Sequence, residues 1–67
     1  MWQVNINFRS GKHISYPRIK SAYLDDEQVN IETFKMSQGQ ILSFYGNGIG
    51  MSFSTDDVEF IGFIKES

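Results

Sequence analysis

The chain opens on a strict alternation. Over Trp2–Phe8, Trp2, Val4, Ile6 and Phe8 take one parity while Gln3, Asn5 and Asn7 take the other. A period of two is what a half-buried strand requires. Arg9-Ser10-Gly11 then reads as a three-residue hairpin loop, with Gly11 in the left-handed position. That register sets Ile6 opposite Ile14 and Val4 opposite Tyr16, apolar against apolar. A two-residue turn at Ser10-Gly11 would set His13 opposite Phe8 and send Ile14 to the wrong face. Pro17 confines the second strand to an edge or a bulge, and residues 19–24 resume as strand. Residues 25–28, three acids and a glutamine, form a polar turn that pairs Leu24 with Val29 and Ala22 with Ile31. Residues 29–36, rich in β-branched side chains, follow as the next strand, closed by a turn at 37–40 around Gly39.

The strongest hairpin signal is Asn47-Gly48, because both central positions of such a turn need positive φ. Centring the turn there pairs Phe44 with Met51 and Leu42 with Phe53, and leaves Ser43, Gly50 and Ser52 on the opposite face. Residues 54–57 form a capping-type cluster that predicts one tight helical turn, and residues 58–65 read as the last strand. No ten-residue stretch carries a helical period. The pattern therefore predicts one all-β domain over residues 1–67, a small bent barrel or strongly twisted antiparallel sheet of five to six strands, with at most one short helical turn near 54–57. Coiling is favoured because a flat sheet this small exposes costly edges.

Composition narrows the chemistry. Sixty-seven residues make a small core, and there is no cysteine to staple it. Six Phe, three Tyr and one Trp supply large rings suited to a pleated surface. A single histidine, His13, assembles neither a zinc site nor a catalytic relay, so no metal, cofactor or catalytic residue is expected and the chain reads as a non-enzyme. No apolar run reaches membrane-spanning length and no leader opens the chain, which predicts a cytoplasmic protein without a membrane partner.

Two further candidates have plain structural explanations. Gly46-Asn-Gly-Ile-Gly50 resembles a phosphate loop, yet strands flank it on both sides and a hairpin accounts for it. The acids at 25–27 and 56–57 match no calcium loop and suit turns. The net charge of −2 opposes general nucleic-acid binding, but Arg9, Lys12, Arg18 and Lys20 precede every acid. With Tyr16, and Tyr23 nearby, for stacking, they compose the alternative reading of a nucleic-acid-binding barrel.

The largest departure from a one-sided pattern lies in the second half. If Val29, Ile31, Leu42, Phe44, Met51 and Phe53 fill the core, then Phe34, Met36, Ile41 and Tyr45 face away, with Met36 paired to Ile41. The last strand divides likewise, Val58, Phe60 and Ile64 on one side and Ile61 and Phe63 on the other. A strand apolar on both faces needs cover on both. Either barrel curvature brings some of these residues inside, or they meet another protein or a second copy of the chain. The candidate interface is thus Phe34, Met36, Ile41, Tyr45, Ile61 and Phe63. A small-molecule-sequestering oligomer, its pocket between subunits, is a third reading.

The opening Trp2-Gln-Val-Asn-Ile-Asn-Phe8, the turn Ser10-Gly11-Lys12 and the closing Phe53-Ser-Thr-Asp-Asp-Val-Glu-Phe-Ile61 together resemble small β-rich accessory proteins of phages and prophages of Gram-positive bacteria. The resemblance spans most of the chain. It implies a protein that binds, and inhibits or redirects, a host protein, and it singles out no functional residue.

Overall fold

The computed structural model describes residues 1–66 and is all-β. Seven strands are present: β1 (Trp2–Phe8), β2 (His13–Ile19), β3 (Ser21–Leu24), β4 (Glu27–Val29), β5 (Ile41–Gly46), β6 (Ile49–Ser54) and β7 (Val58–Lys65). They form two antiparallel sheets, ordered β2-β1-β7 and β4-β3-β5-β6. The expected five or six strands become seven, and the ladders do not close into a barrel. The reason lies between β2 and β3. Pro17 opens a bulge opposite β1, and Arg18 takes a left-handed conformation at φ 57°. The chain leaves the first sheet there and enters the second, where the Lys20 N–H donates to the Tyr45 carbonyl at 2.9 Å.

Local turn chemistry sets two hairpins as expected. Ile6 faces Ile14 and Val4 faces Tyr16 across the loop at 9–11, with Gly11 at φ 92°. Leu42 faces Phe53 and Phe44 faces Met51 across Asn47 and Gly48, both at positive φ. Ser54 caps a 3₁₀ turn at Thr55–Asp57, and β7 has the expected bounds.

The structure departs from expectation first in pairing and then in the faces of the strands. Asp25 adopts φ 55°, so Asp25-Asp26 makes a two-residue turn and the pairing slides to Leu24↔Glu27 and Ala22↔Val29. The strand expected over 29–36 stops at Val29, because the Asn30 side chain accepts the Glu32 N–H at 2.9 Å and caps a second 3₁₀ turn at Ile31–Thr33. Ile31 is buried by that turn instead of by the ladder. Met36 therefore does not pair with Ile41, which starts β5 opposite Ser54 of β6.

The second correction concerns the faces. In the β1–β7 ladder Asn7 pairs with Phe60 but Phe8 pairs with Val58, leaving Glu59 as an extra residue. This bulge reverses the parity of β7. Val58 is buried, Ile61 and Phe63 turn inward opposite Ile6 and Val4, and Phe60 and Ile64 turn outward. Phe34 and Met36 also pack against the core. Of the residues expected to face away, only Ile41 and Tyr45 are exposed.

The core joins the two sheets through Val4, Ile6, Ile19, Ala22, Leu24, Ile31, Leu42, Phe44 and Val58. Rings extend it: Phe34 meets Phe63 at 5.0 Å, Phe63 meets Phe44 at 5.8 Å, and Phe8 meets Phe53 at 5.2 Å between centroids. One buried polar side chain holds the corner before β7. The Thr55 hydroxyl donates to the Ser37 carbonyl at 2.7 Å and accepts the Gln40 N–H at 3.0 Å. Thr55→Val keeps the shape but strands both backbone groups, so it should cost about 1–3 kcal/mol. A urea midpoint unchanged from the parent would show that the corner does not need this hydroxyl.

Candidate protein-binding faces

Four of the six candidate interface residues come together on the inner side of β7. Phe34, Met36, Ile61 and Phe63 join Trp2 and Ile31 around a groove of about 430 Å³, with Glu32 at its rim. All four are half-buried and continuous with the core, so this groove is the open end of the hydrophobic interior. A charge placed at Phe34 would enter the Phe34–Phe63–Phe44 chain of rings and destabilise the fold.

Ile41 and Tyr45 stand on a different surface, the outer face of the four-stranded sheet. Their exposures are 48% and 45%. They line a depression of about 620 Å³ together with Tyr23, Asp25, Asp26, Ser43 and Ser52. The sheet explains the grouping. Tyr23 pairs with Ser43 and Ser21 with Tyr45, so the two tyrosines are diagonal neighbours on one face. Their rings meet edge-on, 5.5 Å apart at 80°. Gly50 lies opposite Tyr45, and a Cβ there would stand 3.1 Å from two Tyr45 ring carbons, so the absent side chain makes room for the ring. The Ser43 and Ser52 hydroxyls share a hydrogen bond of 2.8 Å between the strands. Asp25 on the acidic rim is held in place: the Ile41 N–H donates to Asp25 Oδ1 at 3.0 Å, and the Asp25 N–H donates to the Ile41 carbonyl at 2.7 Å.

Sequence reasoning set Ser43 and Ser52 on the outward face with Ile41 and Tyr45, but missed Tyr23 and the two aspartates as members of it. The parity of Tyr23, opposite to that of Ala22 and Leu24, was visible in the chain. The pairing of β3 with β5 was not, because sixteen residues separate Leu24 from Ile41 and no hairpin joins the two strands.

The basic residues are dispersed. Arg9 and Lys12 sit in the loop after β1, whereas Arg18 and Lys20 lie at the far end of β2, roughly 20 Å away at ~3.3 Å per strand residue. The Arg9 Nε donates to the Asp56 carbonyl at 2.9 Å, and the Arg18 N–H donates to Glu66 Oε1 at 2.9 Å. Tyr16 faces inward opposite Val4 and is half-buried against the core. The acidic turns serve the backbone as well, since Asp56 Oδ1 accepts the Gly39 N–H at 3.0 Å. Gly46–Gly50 is the β5–β6 hairpin, with strand on both sides. No helix in the described residues is long and apolar enough to cross a membrane.

No protein-family model, curated protein or solved structure matches the chain.

Proposed function

We propose that this protein is a non-enzymatic binding domain that docks a basic segment of a partner protein on the outer face of its four-stranded sheet. One observation carries the reading: Tyr23, Ile41 and Tyr45 are presented together in a depression rimmed by Asp25 and Asp26, with neither Lys nor Arg among its described lining residues. Aromatic faces attract a guanidinium or ammonium group by about 0.5–1 kcal/mol at an exposed site, and more once water is excluded. Carboxylates on the rim add attraction and speed encounter. Ile41 offers the apolar surface along which the stem of an Arg or Lys side chain lies. The resemblance to phage accessory proteins extends the reading to a cytoplasmic modulator of a host protein.

The test is a random peptide library panned against the intact protein. Enriched sequences should carry Arg or Lys, and on titration they should shift the amide resonances of Tyr23, Asp26 and Tyr45. Tyr45→Ala should weaken these peptides at least about tenfold, the scale of a hot-spot truncation. It should alter stability by less than about 1 kcal/mol, because the ring is exposed and loses only cross-strand contacts. Peptides without cations, or binding indifferent to Tyr45→Ala, would overturn the assignment.

A further inference from the structure

Sheet edges are where a small β protein either protects itself or recruits another strand. Three of the four edges here offer little to a second strand. β2 is broken by Pro17 and its bulge. β4 has three residues. β6 presents only Gly50, Ser52 and Ser54 on its outer face. β7 differs. It is the outermost strand of its sheet, eight residues long, without proline and without charge between Glu59 and Lys65. Its outer face carries two of the most exposed apolar side chains in the molecule, Phe60 at 59% and Ile64 at 54%.

The direction of its free backbone groups follows from the ladder. The Glu66 N–H donates to the Met1 carbonyl, so residues of that parity, including Gly62, point at β1. The N–H and C=O groups of Ile61, Phe63 and Lys65 point outward, away from the sheet. Glu59-Phe-Ile-Gly-Phe-Ile-Lys65 is, in addition, self-complementary about Gly62.

We propose that β7 pairs antiparallel with β7 of a second copy, around a two-fold axis at Gly62. In that register Ile61 of one copy exchanges both backbone hydrogen bonds with Phe63 of the other. Phe60 packs beside Ile64 on the outer face, and the bulged Glu59 comes across from Lys65 at both ends, just beyond the regular ladder. Gly62 meets Gly62 at a non-hydrogen-bonded position, where the chains approach most closely and a side chain would be most crowded. Each copy makes the same contacts, as a closed two-fold interface demands. On the inner side, Ile61 and Phe63 of the two copies continue one apolar surface, so the two grooves lie side by side. The outer face of the four-stranded sheet is not used, and the dimer stands whether or not that face binds a basic segment.

Disulfide trapping tests the register on a chain that has no cysteine of its own. Phe60→Cys with Ile64→Cys places two thiols opposite each other across the axis, at a spacing a disulfide accepts. Within one chain the same positions are roughly 13 Å apart and cannot join. Under mild oxidant the double variant should run as a covalent dimer on a non-reducing gel, and each single variant should run as a monomer. Light scattering on the parent should return twice the chain mass. Glu59→Lys alone should raise the dimer dissociation constant about three- to tenfold, and Glu59→Lys with Lys65→Glu should restore it. A parent that stays monomeric, cross-linking by either single variant, or a charge swap that fails to rescue would each overturn the proposal.

Discussion

Gly46→Ala is expected to unfold the domain. A Cβ built at Gly46 would stand 2.5 Å from the Arg18 carbonyl oxygen, 2.7 Å from the Lys20 nitrogen and 2.9 Å from the Ile19 Cα. All three are backbone atoms of the passage from β2 to β3, so no side chain can rotate away. The hydrogen bond from the Lys20 N–H to the Tyr45 carbonyl is made at the same crossing, and it is lost if the strands part to make room. Gly46 also holds φ at 155°, which an L side chain rarely adopts. A chain of this size has roughly 3–10 kcal/mol of stability in total. Overpacking against rigid backbone should remove at least about 3 kcal/mol of it. Circular dichroism and amide dispersion would show the loss directly. Gly50→Ala is the matched control, because the Cβ there meets only the Tyr45 ring, which can turn aside. If Gly46→Ala melts within a few degrees of Gly50→Ala, the close approach is not what joins the two sheets.

Phe44→Ala should be nearly as severe. Phe44 is wholly buried, lies opposite Ala22 on β3 and Met51 on β6, and meets the Phe63 ring. Its pairing with Ala22 is a large residue set against a small one, which lets the ring reach across toward the other sheet. Truncation leaves a cavity between sheets that have no other layer to collapse onto, at a cost of about 3–5 kcal/mol. At the lower end of that range most of the stability is gone. Ile41→Ala, three positions earlier and exposed, should cost less than about 1 kcal/mol. Urea titration of both variants would separate the two faces of β5, and equal midpoints would contradict the inward–outward assignment.

The candidate sites were legible in part, for a reason that particular residues illustrate. The surplus of apolar residues on strands that already filled a core was visible in the chain, and Tyr45 and Ile41 were rightly set on the outward face. The same reasoning set Ile61 and Phe63 outward, because it counted parity without the extra residue at Glu59. A bulge is paid for by the geometry of two strands together, here β1 and β7, whose paired residues stand fifty or more positions apart. Phe34 and Met36 went astray for a nearer cause. A strand and a capped 3₁₀ turn compete at Asn30, and the side-chain cap prevails once Asp25 takes a left-handed conformation and shortens the hairpin before it.

From the chain alone came what short-range sterics dictate: the hairpins at Gly11 and at Asn47-Gly48 with their registers, the capped turn after Ser54, the bounds of β7, and the all-β class. Those features depend on turns of two to four residues, where glycine, asparagine and alternating burial leave one solution. Only the tertiary structure decided that β3 lies beside β5 and β1 beside β7, that the strands divide into two open sheets, and that Tyr23 stands next to Tyr45 over Asp25 and Asp26. Such long-range pairings obey the same parity rule in several arrangements. The choice among them rests on how all the buried side chains pack at once, and on one glycine that lets two backbones cross.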